Sequence, residues 1–160
     1  MIGYGKESVS ILVCDKFELI FSKNGSALEL SLDTDLPDDT VISITVNRSY
    51  WEKGNSAAYA RPYFEEKSTV AKWRKTQEIH ISSSNWKRNL KNFQAKMAKA
   101  TLGFTVARIS DEIGVRIVVP INGQTNAAFG GRNKNLQGKA VTTKSYGNLV
   151  EDEIRLTHPL

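Results

Sequence analysis

Residues 17–32 read FELIFSKNGSALELSL, and this stretch decides the fold that the sequence predicts. On each side of its centre, apolar residues alternate with mostly polar ones, which places the apolar side chains on one face of a strand. Asn24 and Gly25 separate the two alternating halves, and this dipeptide favours the positive φ angles of a type I′ turn. The stretch therefore predicts a β-hairpin whose apolar face consists of Phe17, Leu19, Phe21, Leu28, Leu30 and Leu32.

Similar alternation elsewhere in the chain predicts further strands. They are expected at residues 9–13, 42–46, 76–81, 104–109, 114–120 and 150–156. Two segments lack the alternation. Residues 50–76 are expected to form a long loop with one or two short helical turns, the first capped by Ser56 and ended by Pro62. Residues 122–147 are rich in Gly, Asn and Lys, and we expect a long, partly mobile loop there.

A single amphipathic helix is predicted at residues 85–101. Apolar residues recur there at helical spacing and fall in a narrow stripe on one side. Ser83 or Ser84 offers a side chain that can cap the first turn, and Gly103 supplies a stop signal. The stripe that would face the core consists of Trp86, Leu90, Phe93, Met97 and Ala100.

Strands that follow one another, with only one clear helix, indicate a mainly β protein. We predict one domain over residues 1–160, an antiparallel β-sandwich with the helix inserted. The alternative is an α+β arrangement, in which the helix lies across one sheet. The strand pattern of the first 50 residues resembles half of an immunoglobulin-like sandwich, which implies a second, facing sheet.

Charge is distributed unevenly along the chain. The whole sequence has 22 Lys and Arg against 17 Asp and Glu, a net charge of +5. Residues 67–108 contain ten of the basic residues and one acidic residue, Glu78, whereas residues 1–66 contain six basic and eleven acidic residues. So one-sided a block is typical of a surface that binds a polyanion or an acidic protein. It is equally typical of a solvated face that the acidic first third balances in space.

Common catalytic motifs are absent from the sequence. It has no phosphate-binding loop and no Gly-x-Ser-x-Gly elbow. The two histidines are His80, expected to point away from the apolar face of its strand, and His158, close to the chain end. The single cysteine, Cys14, excludes an intramolecular disulfide and a cysteine-based zinc site, and we expect it to be a small core or edge residue. No cofactor is expected.

A run of aspartates in residues 33–39 is a weak candidate metal site. Carboxylate oxygens from one loop can bind Ca²⁺, but the spacing does not match an EF-hand. A turn that contains Asp and Pro accounts for the run as well, and we favour it. The four aspartates are Asp33, Asp35, Asp38 and Asp39.

The basic block and its aromatic residues supply the candidate contacts with a partner. Lysine and arginine clusters bind anions without reading sequence, and aromatic side chains anchor protein interfaces or stack on bases. The basic candidates are Lys72, Arg74, Lys75, Lys87, Arg88, Lys91, Lys96 and Lys99. The aromatic candidates are Tyr59, Tyr63, Phe64 and Trp73.

These observations favour a non-enzymatic module that binds a partner protein, with an acidic surface as the best match, through an aromatic loop and the basic helix. The alternatives are a nucleic-acid-binding protein that uses residues 67–108 and an enzyme with no recognisable motif. No stretch is apolar enough for a membrane span. No secretory signal is visible, so we expect a cytoplasmic protein, with signal-independent secretion left open. The oligomeric state also stays open.

Overall fold

The computed structural model describes residues 11–100 and 106–160, without the side chains of residues 98–100. Three predicted features lie outside the described residues. They are the first residues of the strands expected at 9–13 and 104–109, the helix stop at Gly103, and the side chains of Lys99 and Ala100. The protein is mainly β, with two antiparallel sheets packed as an open sandwich. The predicted fold class is therefore confirmed.

Three strands form the smaller sheet. The predicted hairpin is present, with Phe17 opposite Thr34 and Asn24 opposite Ala27. A later strand pairs antiparallel with its second arm. In sheet order the strands are β2 (Phe17–Asn24), β3 (Ala27–Thr34) and β6 (Gln77–His80).

Five antiparallel strands form the larger sheet. In sheet order they are β5 (Ala58–Thr69), β4 (Val41–Glu52), β7 (Val106–Val119), β10 (Gly147–Thr157) and β9 (Thr142–Lys144). A short parallel pair joins β1 (Leu12–Val13) to β8 (Leu136–Gln137). The helices are α1 (Val70–Trp73) and α2 (Ser83–Ala100). No helix within the described ranges is both long and apolar enough to cross a membrane.

The central strand β4 shows how the core is divided. Its alternate residues from Ile42 to Tyr50 are buried. Ile42, Ile44 and Val46 belong to the main core, together with Leu28 and Leu30 of the smaller sheet. Tyr50 belongs instead to a second cluster with Trp86 and Leu90 of α2. The smaller sheet and α2 therefore cover successive parts of one face of the larger sheet.

The prediction of a long loop at residues 50–76 is wrong. These residues end β4 and then form β5. The two strands pair along their length, with Val41 opposite Thr69 at one end and Trp51 opposite Ala58 at the other. The helical turn expected after Ser56 is absent, because the segment is an edge strand. An edge strand tolerates Pro62, since the missing N–H does not have to serve a second neighbour. Only the four-residue helix α1 follows, at the end of β5.

The two strands expected at 104–109 and 114–120 form one strand instead. Within the described residues, β7 is continuous from Val106 to Val119, and its register with β4 shifts between Arg48 and Tyr50. Such irregularities bend a strand without ending it. The polar residues Ser110 to Glu112, expected to form a turn, lie at this shift.

Residues 122–147 contain more regular structure than a loop. Two single-turn 3₁₀ helices, Ala127–Phe129 and Gly131–Asn133, precede β8 and β9. Phe129, Asn133 and Leu136 are buried. The mobility expected of this segment stays a prediction.

Candidate binding surface on the long helix

Helix α2 is held against the larger sheet by two apolar side chains. Trp86 and Leu90 are buried against Tyr50, with Tyr63, Val106 and Ile109 partly buried around them. The indole nitrogen of Trp86 also donates a hydrogen bond of 3.0 Å to the backbone oxygen of Arg61. The helical stripe predicted from the sequence therefore fixes which side of α2 faces the sheet.

A buried arginine stands at the junction of the two clusters. Arg48 has no exposed surface, and its guanidinium lies 5.7 Å from the ring centres of both Tyr63 and Trp86. It donates hydrogen bonds to the Tyr63 hydroxyl (2.8 Å) and to the backbone oxygens of Ser110 (2.6 Å) and His158 (2.5 Å). Arg48 thereby fastens β4 to β5, to β7 and to the chain that follows β10.

His158 belongs to this structural network. Its side chain is buried, and Nε2 lies 2.8 Å from the backbone oxygen of Ile81. Its backbone N–H donates to the oxygen of Asp111 at 2.7 Å. His80, by contrast, is exposed beside Glu78, on the face opposite Ile79, as expected. Nothing brings the two histidines together.

The cations of α2 lie on its solvent side. Lys87, Arg88, Lys91 and Lys96 are exposed, and none of them forms an ion pair with another described residue. Arg88 makes one long hydrogen bond, 3.3 Å, to the side chain of Asn85. The first turn of the helix contains no acidic residue, so no carboxylate of that turn can pair with Lys87 or Arg88 in the next turn. Among the described residues, no acidic side chain pairs with the cations of this surface.

Two of the basic residues before α2, Lys72 and Arg74, are different, because acidic residues of the first third balance them. The Lys72 ammonium lies 2.7 Å from a Glu66 oxygen. Burial raises the pKa of Glu66, but hydrogen bonds from Lys72 and Trp73 outweigh burial, and the pKa is lowered overall. Arg74 binds Asp38 at 2.6 Å and the backbone oxygens of Thr34 and Leu36. Lys75 is exposed and has no ion pair among the described residues.

Most of the aromatic candidates pack against other side chains of the protein and are not free for a partner. Trp73 has no exposed surface, and Phe64 packs on it at 6.1 Å between ring centres. Tyr63 stacks on Trp86. Tyr59 is 39 % exposed, the largest exposure among the four, and it stacks on Tyr50. No aromatic loop therefore exists at residues 55–75, and the four rings do not form a common surface with the cations of α2.

A cleft of about 530 Å³ opens between α2 and the beginning of β7. Its cationic rim comes from Lys87, Arg88 and Lys91, and its apolar floor from Leu90, Val106 and Ile109. Gln94 completes the lining, and its side-chain nitrogen is buried without a hydrogen-bond partner in the described structure. The volume is within the range of ligand-binding pockets. Sequence reasoning identified the rim but missed Gln94 and the floor.

The four aspartates of the weak metal site have separate contacts. Asp33 pairs with Lys16 at 2.6 Å, and Asp35 accepts a backbone hydrogen bond from Asp15. Asp38 pairs with Arg74, and Asp39 accepts from the side chain of Asn126. Throughout residues 11–100 and 106–160, no three His, Cys, Asp or Glu side chains are grouped so as to hold a metal ion.

Cys14 is buried and unpaired, and its chemistry gives the first prediction. Burial, with a smaller contribution from Asp35, raises the pKa of the thiol from 9.0 to about 12. At pH about 8 this reduces the reactive thiolate on the order of 10³-fold. Labelling with Ellman's reagent should therefore be slower by at least that factor in the folded protein than in denaturant.

The thiol also contributes stability that is lost as pH rises above 9.0 toward about 12. Equal labelling rates in the two states would contradict the burial of Cys14.

Comparison with protein-family models, with curated proteins and with solved structures finds no match for this chain. The surface of α2 and its cleft are therefore the features from which a function is inferred.

Proposed function

We propose that this protein is a non-enzymatic binding module that recognises an acidic surface of a partner protein through α2. The observation that carries the proposal is the set of exposed cations Lys87, Arg88, Lys91 and Lys96, with no ion pair inside the described structure. Elsewhere in the same charge block, Lys72 and Arg74 have acidic partners. A patch left uncompensated on one rigid element is a surface that steers an oppositely charged partner.

The shape of the surface favours a protein over a nucleic acid. Exposed aromatic rings on which bases would stack are a common part of single-strand binding sites. On this face the aromatic side chain of Trp86 is buried, and the exposed Tyr59 stacks on Tyr50. The cations instead border an apolar cleft, and a polar rim around an apolar centre is the usual anatomy of a protein interface.

The test is a titration of the protein with a fluorescein-labelled poly-glutamate peptide of about 20 residues, at about 50 and 200 mM salt. The variant is K87E/R88E/K91E, which reverses three rim charges. We expect it to bind the peptide about 10- to 100-fold more weakly than the natural protein at low salt, because each rim cation is replaced by a carboxylate that repels the acidic peptide. Circular dichroism should show an unchanged helix, since the three side chains are exposed.

The matched control is K134E/K139E/K144E, with the same change in net charge at exposed lysines of the 122–147 segment. It should bind poly-glutamate nearly as well as the natural protein. Equal losses in both variants would show that net charge, and not α2, is responsible. A single-stranded DNA of similar length, titrated in parallel, decides the alternative: tighter binding of DNA than of poly-glutamate would replace the acidic protein by a nucleic acid as the partner.

A further inference from the structure

The cleft beside α2 defines the partner more narrowly than charge does. We infer, on the basis of the proposed function, that it binds a short acidic peptide segment that inserts one large apolar side chain between flanking carboxylates. The observations behind this inference are the apolar floor, the spacing of the cations along α2 and the unpartnered amide of Gln94.

The floor supplies a place for an apolar side chain. Val106 and Ile109 of β7 and Leu90 of α2 meet there, and the volume is about 530 Å³. Poly-glutamate has no group that would remove this apolar lining from water. A phenylalanine or leucine side chain would do so, and burial of such a side chain is favourable by more than a single surface ion pair.

Three cations, Lys87, Arg88 and Lys91, line the cleft within about one turn of α2. Lys87 and Lys91 are four residues apart, which is about 6 Å along the axis of an α-helix. Lys87 and Gln94 are seven residues apart, or about 10 Å, and helical geometry places Lys87, Lys91 and Gln94 on one side of α2. An extended peptide covers that distance with about three residues. Three lining cations match more than one carboxylate, which an acidic peptide supplies on both sides of an apolar residue, whereas a fatty acid has a single carboxylate.

Gln94 supplies a donor that the protein itself does not use. Its side-chain nitrogen is buried and has no partner in the described structure, and an unsatisfied buried donor is costly. Rotation of the Gln94 side chain toward the cleft would present this nitrogen to a backbone carbonyl of a bound peptide, which would accept the hydrogen bond. The amide would then fix the direction of the peptide, while the cations provide attraction.

The experiment compares two acidic peptides of about nine residues, identical except for a central phenylalanine or alanine. With the natural protein, the phenylalanine peptide should bind at least about tenfold more tightly than the alanine peptide. The variant Q94W fills the cleft and keeps every cation. It should bind both peptides equally, because the indole takes the place of the apolar side chain. The control Q94A, which leaves the cleft open, should retain the preference for phenylalanine.

The outcomes separate this inference from the proposed function. Equal binding of both peptides by the natural protein, with poly-glutamate binding intact, would overturn the inference alone. No binding of any acidic peptide would overturn both. A third outcome is that the natural protein binds decanoate, that Q94W does not, and that neither peptide is preferred. The cleft would then be a site for a small amphiphilic anion, and the proposal that it binds a peptide would be overturned.

A second measurement does not depend on the folding of Q94W. A benzoyl-phenylalanine at the central peptide position should photo-crosslink to residues 87–94 or 106–109 of the natural protein, as identified by mass spectrometry. Crosslinks confined to other parts of the chain would contradict the inference.

Discussion

Arg48→Met should lower the free energy of unfolding by about 3–5 kcal/mol, measured by urea unfolding followed through tryptophan fluorescence. The guanidinium is fully buried, so water cannot replace the hydrogen bonds that are lost with it. Three acceptors would lose their donor at once, namely the Tyr63 hydroxyl and the backbone oxygens of Ser110 and His158. A buried acceptor without a donor costs about 1–3 kcal/mol; the bond to His158 is buried, and those to Tyr63 and Ser110 are partly buried. Methionine is similar in length but supplies no donor.

Two controls separate the hydrogen bonds of Arg48 from its charge and its bulk. Arg48→Lys keeps the charge but not the planar fork of donors, and it should also destabilise the protein strongly. Arg108→Met removes an arginine that is exposed and lies 3.7 Å from the ring centre of Trp51. Its cost should stay below about 1 kcal/mol. If Arg48→Met were as mild as Arg108→Met, the junction between the two clusters would not depend on Arg48.

The parts of the fold that could be predicted from the sequence are those with a local signal. The hairpin of β2 and β3 follows from alternation on both sides of Asn24-Gly25, and the observed register places Asn24 opposite Ala27. Helix α2 follows from a stripe at helical spacing and is observed at Ser83–Ala100. In both cases the residues that decide the structure are near one another in the chain.

Strand β5 could not be predicted because its environment is not periodic. It lies at the edge of the larger sheet, and its residues alternate between partly buried and exposed positions only from Phe64 to Ser68. Edge strands carry polar residues and proline on positions that central strands cannot use. What makes this segment a strand is the long neighbour β4, a partner that no local pattern reveals.

The candidate site was predictable only in part, for a similar reason. The cations of α2 are visible in the sequence as a run without acidic residues. Which of the basic residues stay uncompensated depends on long-range pairs, such as Arg74 with Asp38, 36 residues apart. The floor of the cleft joins Leu90 to Val106 and Ile109, and no motif links these residues. His158 likewise gains its role through distant residues, namely Arg48, Ile81 and Asp111.

Gly138→Ala should lower the free energy of unfolding by about 3 kcal/mol or more. Gly138 follows β8, where the chain passes against β1. Its φ is +131°, and an added Cβ would lie 2.3 Å from the backbone oxygen of Cys14. Neighbouring backbone groups tie the two segments together: Cys14 donates to Gln137 at 2.7 Å, and Ala140 donates to Cys14 at 3.0 Å. Alanine must therefore either strain its own backbone or separate the pair.

The expected decrease in melting temperature is about 6–12 °C for a chain of this size. Gly131→Ala is the matched control, since its added Cβ would meet nothing within 4 Å, and its melting temperature should change little. Labelling of Cys14 distinguishes the cause of the loss. Separation of β1 from β8 exposes the thiol, so Ellman's reagent should react faster in Gly138→Ala than in Gly131→Ala under native conditions. A destabilised Gly138→Ala whose Cys14 stays as unreactive as in the control would mean that backbone strain at residue 138, rather than separation of the two segments, accounts for the effect.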